Sequence, residues 1–474
     1  SNLNSGSVPA AQLDNVDTAG LQGDIAILAF KTQANGNLAR YNLVDQSVDA
    51  FEDATGISAS DSTNEVRDAS GKYYSGAVAA TGGTKTQVTI SATVYDLFTF
   101  TEDGTLTSGA AANVDILVVG GGGSGGKNIG GGGGAGGLVY KPAQAITASS
   151  YGITIGGGGV YTAPSGPGNN GGDSVFDTAG VTNTLTGKGG GAGGGHAPPA
   201  SGVVGGSGGA DGGGSGSAAA ANQTSQPGDS GTYGFGNAGA EGVGSPYAAG
   251  GGGGAGGAGV AGVNSPSQKG GDGGVGKDYS GTFGTGVGAS GWFAGGGGGS
   301  VEPAAPVGAG GTGGGGAGST YPGTGTDGTA NTGGGGGGTT TTLGATGGSG
   351  VVIIRSAENA LSAYNNMTLE SITTTTATAP TKGDLVFTYS NAAGTAVVGT
   401  NITAEYSADA GSTWTDFGIA AGDVQGTTGG HTIVTKNNVS LTSTSGTNMR
   451  YRIKTLVQSA SLATRIHAVS LGWS

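Results

Sequence analysis

The pattern most suggestive of chemistry is a glycine-rich turn directly behind a short apolar run. Val114–Val119 has the composition of a strand, and the glycines of Gly120–Gly125 have the spacing of a dinucleotide-binding turn. Such a site needs a helix after the turn, and the polyglycine that follows cannot form one. Gly121–Lys127 has the spacing of a phosphate loop, but Asn128 stands where Ser or Thr would bind magnesium. We therefore predict no cofactor.

Metal-binding and catalytic side chains are scarce. The chain has no cysteine, which excludes thiolate metal sites and a cysteine nucleophile. His196, His431 and His467 are too dispersed in sequence to indicate a metal cluster. Gly270–Gly274 is similar to a calcium-binding nonapeptide, but it is not repeated at nine-residue spacing. We predict no metal site, no catalytic residue and no enzymatic activity. Paired carboxylates for glycoside hydrolysis stay open, because they would meet only in the fold.

Net charge and hydropathy narrow the class of partner. The formal net charge of -13 gives no basic field that would attract nucleic acid or an anionic membrane surface. No apolar run is long enough to span a membrane, and the first residues lack the pattern of a signal peptide. We expect no nucleic acid and no membrane insertion. A protein without a signal peptide would leave its host cell by lysis, as virion proteins do.

Glycine dominates the middle of the chain, which contains most of its 113 glycines. A disordered linker is one reading, since glycine loses much backbone entropy on ordering. Collagen is excluded, because glycine comes in blocks rather than at every third residue. A bundle of polyglycine-II helices accounts for the blocks, because only residues without side chains let buried backbones hydrogen-bond on all sides. We predict this bundle over 120–350, inside a domain at 87–356.

Two apolar runs flank the glycine region and are expected to pair. Val114–Val119 precedes it and Val351–Arg355 follows it, and both have the length of a strand. The glycine region would then be one excursion from a small β base.

The N-terminal part, residues 1–86, is predicted to begin with an assembly helix over 23–55. Tyr41, Val44, Val48 and Phe51 fall on one apolar stripe at heptad spacing, followed by a Ser- and Gly-rich spacer. Because this stripe has no evident partner within the chain, we expect it to drive homotrimerisation. A hairpin turn at 35–37, or a break there between two shorter helices, is the alternative.

The C-terminal part, residues 357–474, shows short strands and turns typical of a β-sandwich. Within it, Ser407, Asp409, Gly411 and Trp414 form a segment that resembles the Asp-box of sialidases and related β-proteins. The resemblance implies a structural turn, in which Asp and Ser bind backbone amides, and no catalysis. The predicted fold class is thus mainly β, with an N-terminal helical assembly segment, a polyglycine-II helix bundle inserted in a small β base, and a C-terminal β-sandwich.

The glycine region as a whole, with its entry at 114–126 and exit at 347–355, resembles the glycine-rich domains of phage tail-fibre adhesins. Residues 41–46 and 465–474 are similar to segments of marine phage structural proteins. The resemblance implies an extracellular virion protein that joins other tail proteins and binds a host-surface protein or glycan through loops between glycine helices. Alternatives are a purely structural virion or filament component, a polysaccharide-degrading tailspike and, more remotely, an ice-binding surface.

Aromatic residues punctuate the glycine blocks. A packed glycine bundle offers no room for rings, so we expect them on loops or outer faces, where aromatic residues are common binding anchors. The receptor-binding candidates are Tyr233, Phe235, Tyr247, Tyr279, Phe283, Trp292, Phe293 and Tyr321.

Overall fold

A computed structural model describes residues 40–43, 45–161, 167–196, 200–214, 216–223, 234–303, 305–341 and 343–474. The chain is nearly all β, with 38% of residues in strands and 2% in helical elements. It divides into two compact units. Unit 1 contains the residues up to Val78 together with Ser362–Ser474, and unit 2 is Ala79–Leu361. No described helix is long and apolar enough to cross a membrane.

The elements follow in chain order. The first strands belong to unit 1 and are β1 (Arg40–Leu43), β2 (Gln46–Asp49), β3 (Val66–Asp68), β4 (Tyr73–Ser75) and β5 (Ala77–Val78). Unit 2 contains β6 (Thr84–Ile90), β7 (Thr93–Phe100), β8 (Gly104–Thr107), β9 (Ala112–Val119), β10 (Leu138–Ile146), β11 (Ser150–Thr154), β12 (Ser174–Phe176), β13 (Leu185–Gly187), β14 (Gly234–Phe235), β15 (Tyr247–Ala248), β16 (Lys277–Asp278), helix α1 (Ser280–Phe283), β17 (Trp292–Phe293), β18 (Val301–Glu302) and β19 (Val351–Ala357). The remaining elements of unit 1 are β20 (Ala363–Tyr364), β21 (Thr368–Glu370), β22 (Thr374–Thr375), β23 (Lys382–Ala393), β24 (Ile402–Ser407), β25 (Thr415–Asp416), a 3-10 turn (Ala421–Asp423), β26 (Val424–Thr428), β27 (His431–Ser440), β28 (Asn448–Thr455) and β29 (Ala463–Trp473).

The N-terminal helix predicted over 23–55 is wrong where the structure describes it, from residue 40 onward, and residues 23–39 lie outside the described part. Its described part forms the hairpin β1–β2, with a turn at Asp45, whose φ is 60°. Strand β2 then pairs with β29 at the far end of the chain, as in the register Val48↔Ser470. This long-range pairing supplies backbone hydrogen bonds that outweigh the weak helical pattern of the segment. The alternative turn at 35–37 lies outside the described residues.

Two sheets share the core of unit 1. One has the strand order β1-β2-β29-β23-β27-β26, with β4 beside β29 and β3 beside β4. The other has the order β21-β28-β24-β25, with β22 beside β28. Their buried side chains form one cluster, in which Phe387 and Leu471 from the first sheet join Tyr406 and Ile453 from the second.

Unit 2 is built on a sheet of order β14-β10-β9-β19-β7-β6 and a smaller one of order β13-β12-β11-β8. Strands β9 and β19 pair antiparallel, with Val119 opposite Val351. This is the pairing that the two apolar runs predict. The glycine region therefore leaves and re-enters the sheet at neighbouring positions.

The glycine region is ordered by backbone hydrogen bonds between segments, and we call it the glycine lattice. Along its first segment, successive N–H groups donate to three different neighbours in turn. Gly123 donates to Gly134, Ser124 to Asn169 and Gly125 to Ala345. The same order starts three residues earlier, with Gly120, Gly121 and Gly122 donating to Gly137, Gly172 and Gly348.

The predicted helix bundle is wrong as a fold class. Among the described residues the helical elements are only the four-residue α1 and one 3-10 turn. The glycine N–H groups donate to other segments rather than along their own chain, since the absence of side chains lets backbones approach closely. A Cβ atom on Gly297, for example, would lie 2.1 Å from the carbonyl oxygen of Gly336.

Candidate functional site

The glycine lattice has two ends, and loops gather at the one remote from the sheet. The first two segments run antiparallel, from Gly120 against Gly137 at the sheet to Gly126 against Gly131. Another segment also extends to the end remote from the sheet, since the Gly131 N–H donates to the carbonyl of Gly194. The loops that leave it include residues 127–129, 243–247, 263–269, 319–323 and 340–341, with His196 and Leu343; we call them the distal loops.

One part of the distal loops is organised around a pair of rings. His196 and Tyr247 have ring centroids 4.4 Å apart, and the backbone N–H of His196 donates to Asn128. The Gln268 side-chain amide donates to the carbonyls of Tyr247 and Glu302, at 2.8 Å each. Gln268 thereby joins the loop 263–269 to the loop 243–247, and the ring pair joins the latter loop to His196.

A second part of the distal loops exposes apolar side chains. Tyr321 is 57% exposed and Leu343 60% exposed. Their loops touch, because the Thr340 hydroxyl donates to the carbonyl of Thr320 at 3.1 Å and accepts from the Gly323 N–H at 3.0 Å. These groups can bind by apolar contact, whereas general acid–base chemistry would need paired titratable side chains.

Two receptor-binding candidates lie in the distal loops, namely Tyr247 and Tyr321, and Tyr233 is outside the described residues. The others lie near the sheet end. Phe283 and Phe293 are fully buried and belong to a core with the sheet residues Leu117 and Ile353. The expectation that rings have no interior position therefore fails, because the sheet supplies the space that the lattice lacks.

Of the three further candidates, two pack against that core. Tyr279 packs against it, and burial raises the pKa of its hydroxyl. Phe235 also packs there, with the Lys277 ammonium 3.9 Å from its ring centroid. Trp292 is half-buried and pairs with Asp278 between β17 and β16. The Phe235 and Tyr279 rings thus belong to the packing around the sheet residues of this core.

The predicted oligomerisation residues lie within unit 1. Val48 and Phe51 are buried, and Phe51 belongs to the core between the two sheets. Tyr41 is in β1, opposite Val48, while Val44 is outside the described residues. The stripe is thus no unpartnered surface, because its described members pair and pack inside the same chain.

The Asp-box segment forms a turn held by its own side chains. Gly411 donates its N–H to the Ser407 hydroxyl at 2.9 Å, and Thr413 donates to the Asp409 carboxylate at 2.9 Å. The Trp414 ring lies 4.1 Å from the guanidinium of Arg452. The polar groups of this turn are used for backbone contacts, which is the arrangement of a structural turn.

The nucleotide-like glycines are interior to the lattice. A Cβ on Gly122 would lie 2.0 Å from the carbonyl oxygen of Gly334, so a neighbouring segment occupies the space a phosphate would need. No group of three or more His, Asp or Glu side chains able to hold a metal occurs among the described residues.

Sequence reasoning missed one cluster. His431 and His467 are distant in sequence, yet their rings stack with centroids 3.9 Å apart and an interplanar angle of 21°. Nothing in their spacing indicates this contact, since β27 and β29 lie on opposite sides of β23 in the sheet.

Comparison with curated proteins gives no match. Comparison with protein families gives the glycine-rich domain, whose model matches residues 100–357 of the 474, from the end of β7 to the end of β19. This span includes the whole glycine lattice and its distal loops. On this match, the chain belongs to the glycine-rich domain family.

Proposed function

We propose that the chain is an attachment protein of a phage virion, whose distal loops bind a receptor on the host cell surface. The observation that carries the proposal is the lattice itself, which pairs backbone groups between segments and presents several loops at one end. Rigid scaffolds that display loops are a common design for binding. The sequence resemblance to phage tail-fibre adhesins supports the same function.

The proposal includes assembly with other tail proteins and a homotrimer, both of which rest on the resemblance. Light scattering on purified chain tests the trimer directly. A mass near three times the 44.4 kDa of the chain is expected, and a monomer would remove this part of the proposal.

Receptor binding is tested with fluorescent protein on host cells. Tyr321→Ala combined with Leu343→Ala should lower cell binding at least tenfold, because both exposed side chains would contribute apolar contact area. Val181→Ala is the matched control, since Val181 is 46% exposed but lies between β12 and β13. Equal binding by the double variant and the control would reject the distal loops as the receptor site.

A purely structural virion component is the second candidate. The extent of backbone pairing in the lattice favours it, since a stiff spacer needs no receptor. The two functions differ in one measurement: an attachment protein binds host cells saturably as a soluble chain, whereas a spacer does not.

A further inference from the structure

The histidine stack of unit 1 joins three separate pieces of chain. His467 lies in β29, and His431 begins β27 directly after the turn from β26. Tyr73 of β4 has its ring centroid 5.4 Å from that of His467. The stack therefore connects the β26–β27 hairpin, the β3–β4 hairpin and the central strand β29.

The hydrogen bonds of His467 are compatible with a neutral ring. Its Nε2 lies 2.7 Å from the Ser390 hydroxyl, which donates to that nitrogen when it carries no proton and accepts from it when it does. A hydrogen bond from the ring to the backbone of Gly71, in the β3–β4 turn, raises the pKa of His467 and partly offsets the causes that lower it. A proton on Nε2 would force the Ser390 hydroxyl to turn away and act as acceptor.

The surroundings oppose a second positive charge. Arg465, on the same strand, lies over the Tyr73 ring at 4.7 Å. The Asp68 carboxylate accepts from the Tyr73 hydroxyl at 3.1 Å and from the N–H groups of Ser70 and Gly71. Its hydrogen bonds are therefore made within the β3–β4 hairpin.

The pKa directions agree with this geometry. Burial, His431 and Arg465 lower the pKa of His467 to about 4, and burial lowers the pKa of His431. An unfolded histidine titrates near pH 6.5. Both rings are therefore neutral at neutral pH, when they can stack without repulsion.

We propose that the His431–His467 stack is a proton-sensitive clasp that holds the β3–β4 and β26–β27 hairpins against β29. Acidification transfers protons from solvent to the imidazoles, and two charged rings at this distance repel each other and Arg465. The stack then separates and the turn ends of both hairpins loosen, while Tyr74 of β4 and Val434 of β27 stay in the shared core of the two sheets. The clasp is closed above about pH 6.5 and opens as the pH falls toward 4.

Two measurements on the full chain test the clasp. NMR of the histidine Cε1–H signals should place the titration of His467 at least one pH unit below about 6.5, the value of an unfolded histidine. Amide exchange, corrected for its intrinsic pH dependence, should rise at least tenfold at the turn ends of the two hairpins, 69–73 and 427–431, between pH 7 and pH 4.5. Exchange in β23 and β28 should change little.

His431→Phe keeps an aromatic ring on His467 but cannot be charged, so it should move the midpoint of opening to lower pH by at least half a unit. His196→Gln is the control and should leave the midpoint unchanged. Titration of His467 near pH 6.5, or a midpoint unaffected by His431→Phe, would overturn the clasp. Both results are independent of receptor binding.

Discussion

Replacement of Gly297 by Ala should destabilise the glycine lattice strongly. Gly297 is buried, its N–H donates to Gly133 at 2.9 Å, and its carbonyl accepts from Gly252 at 2.8 Å. The added Cβ would lie 2.1 Å from the Gly336 carbonyl oxygen, which is backbone and cannot rotate away. The segments must therefore separate by about 1 Å to reach ordinary contact distance.

The cost follows from two effects. Overpacking of a tight interior typically costs about 1–3 kcal/mol. Separation also weakens the two hydrogen bonds of Gly297, each worth roughly 1 kcal/mol. The sum is about 3–5 kcal/mol, a large part of the stability of an ordinary domain, which is about 5–15 kcal/mol. For a unit of this size the melting temperature should fall by roughly 10 °C.

Gly157→Ala is the matched control. Gly157 belongs to the same lattice, with its carbonyl accepting from Gly172, but nothing lies within 4 Å of an added Cβ. This variant should be neutral or gain up to about 1 kcal/mol from reduced unfolded-state entropy. Calorimetry of both variants, with amide exchange to assign transitions to unit 2, checks the difference. Similar melting temperatures for the two variants would refute close backbone packing as the reason for the glycine.

The remaining predictions concern unit 1. Val48→Asp should lower its stability by about 3 kcal/mol or more in urea unfolding, because the new carboxylate would be buried; a changed assembly state at full stability would contradict this. Asp409→Ala should cost about 1 kcal/mol, since the Thr413 N–H loses its acceptor, and Asp409→Asn should retain most of that bond. Stability should fall as the pH drops from about 6.5 toward 4, because the folded pKa of His467 is lowered and the unfolded chain then binds the extra proton. The half-buried position limits this loss to about 1–2 kcal/mol, and a pH-independent urea midpoint over that range would disprove it.

Local composition was enough to predict several features of unit 2. The density of glycine implies close backbone approach, because any side chain would keep the segments apart. The apolar runs at 114–119 and 351–355 have strand length, and their positions on either side of the glycine region indicate their pairing. The glycines after Gly120 indicate close packing of this segment, and a Cβ on Gly122 would lie 2.0 Å from the carbonyl oxygen of Gly334.

Pairing between distant segments determines the features that local sequence does not predict. The segment after Arg40 has a weak helical pattern, yet it becomes a hairpin because β29 offers it hydrogen bonds. Phe293 is buried because the sheet, whose strands come from distant parts of the chain, forms a core beside it. Among the aromatic candidates, Tyr321 lies at the distal end of the lattice and Phe293 at the sheet end. Their spacing in the sequence does not indicate at which end each ring lies.

The contrast has one physical cause. Glycine has no side chain, and the close backbone approach that this allows is a local property of each residue. The glycine content was therefore enough to predict that the middle of this chain packs backbone against backbone. Other features depend on contacts between segments that are far apart in the sequence. These features are the ring contacts, the exposed loops and the His431–His467 stack. These long-range contacts are set by the register of whole sheets and not by the sequence neighbours of any one residue, so they become visible only in the folded structure.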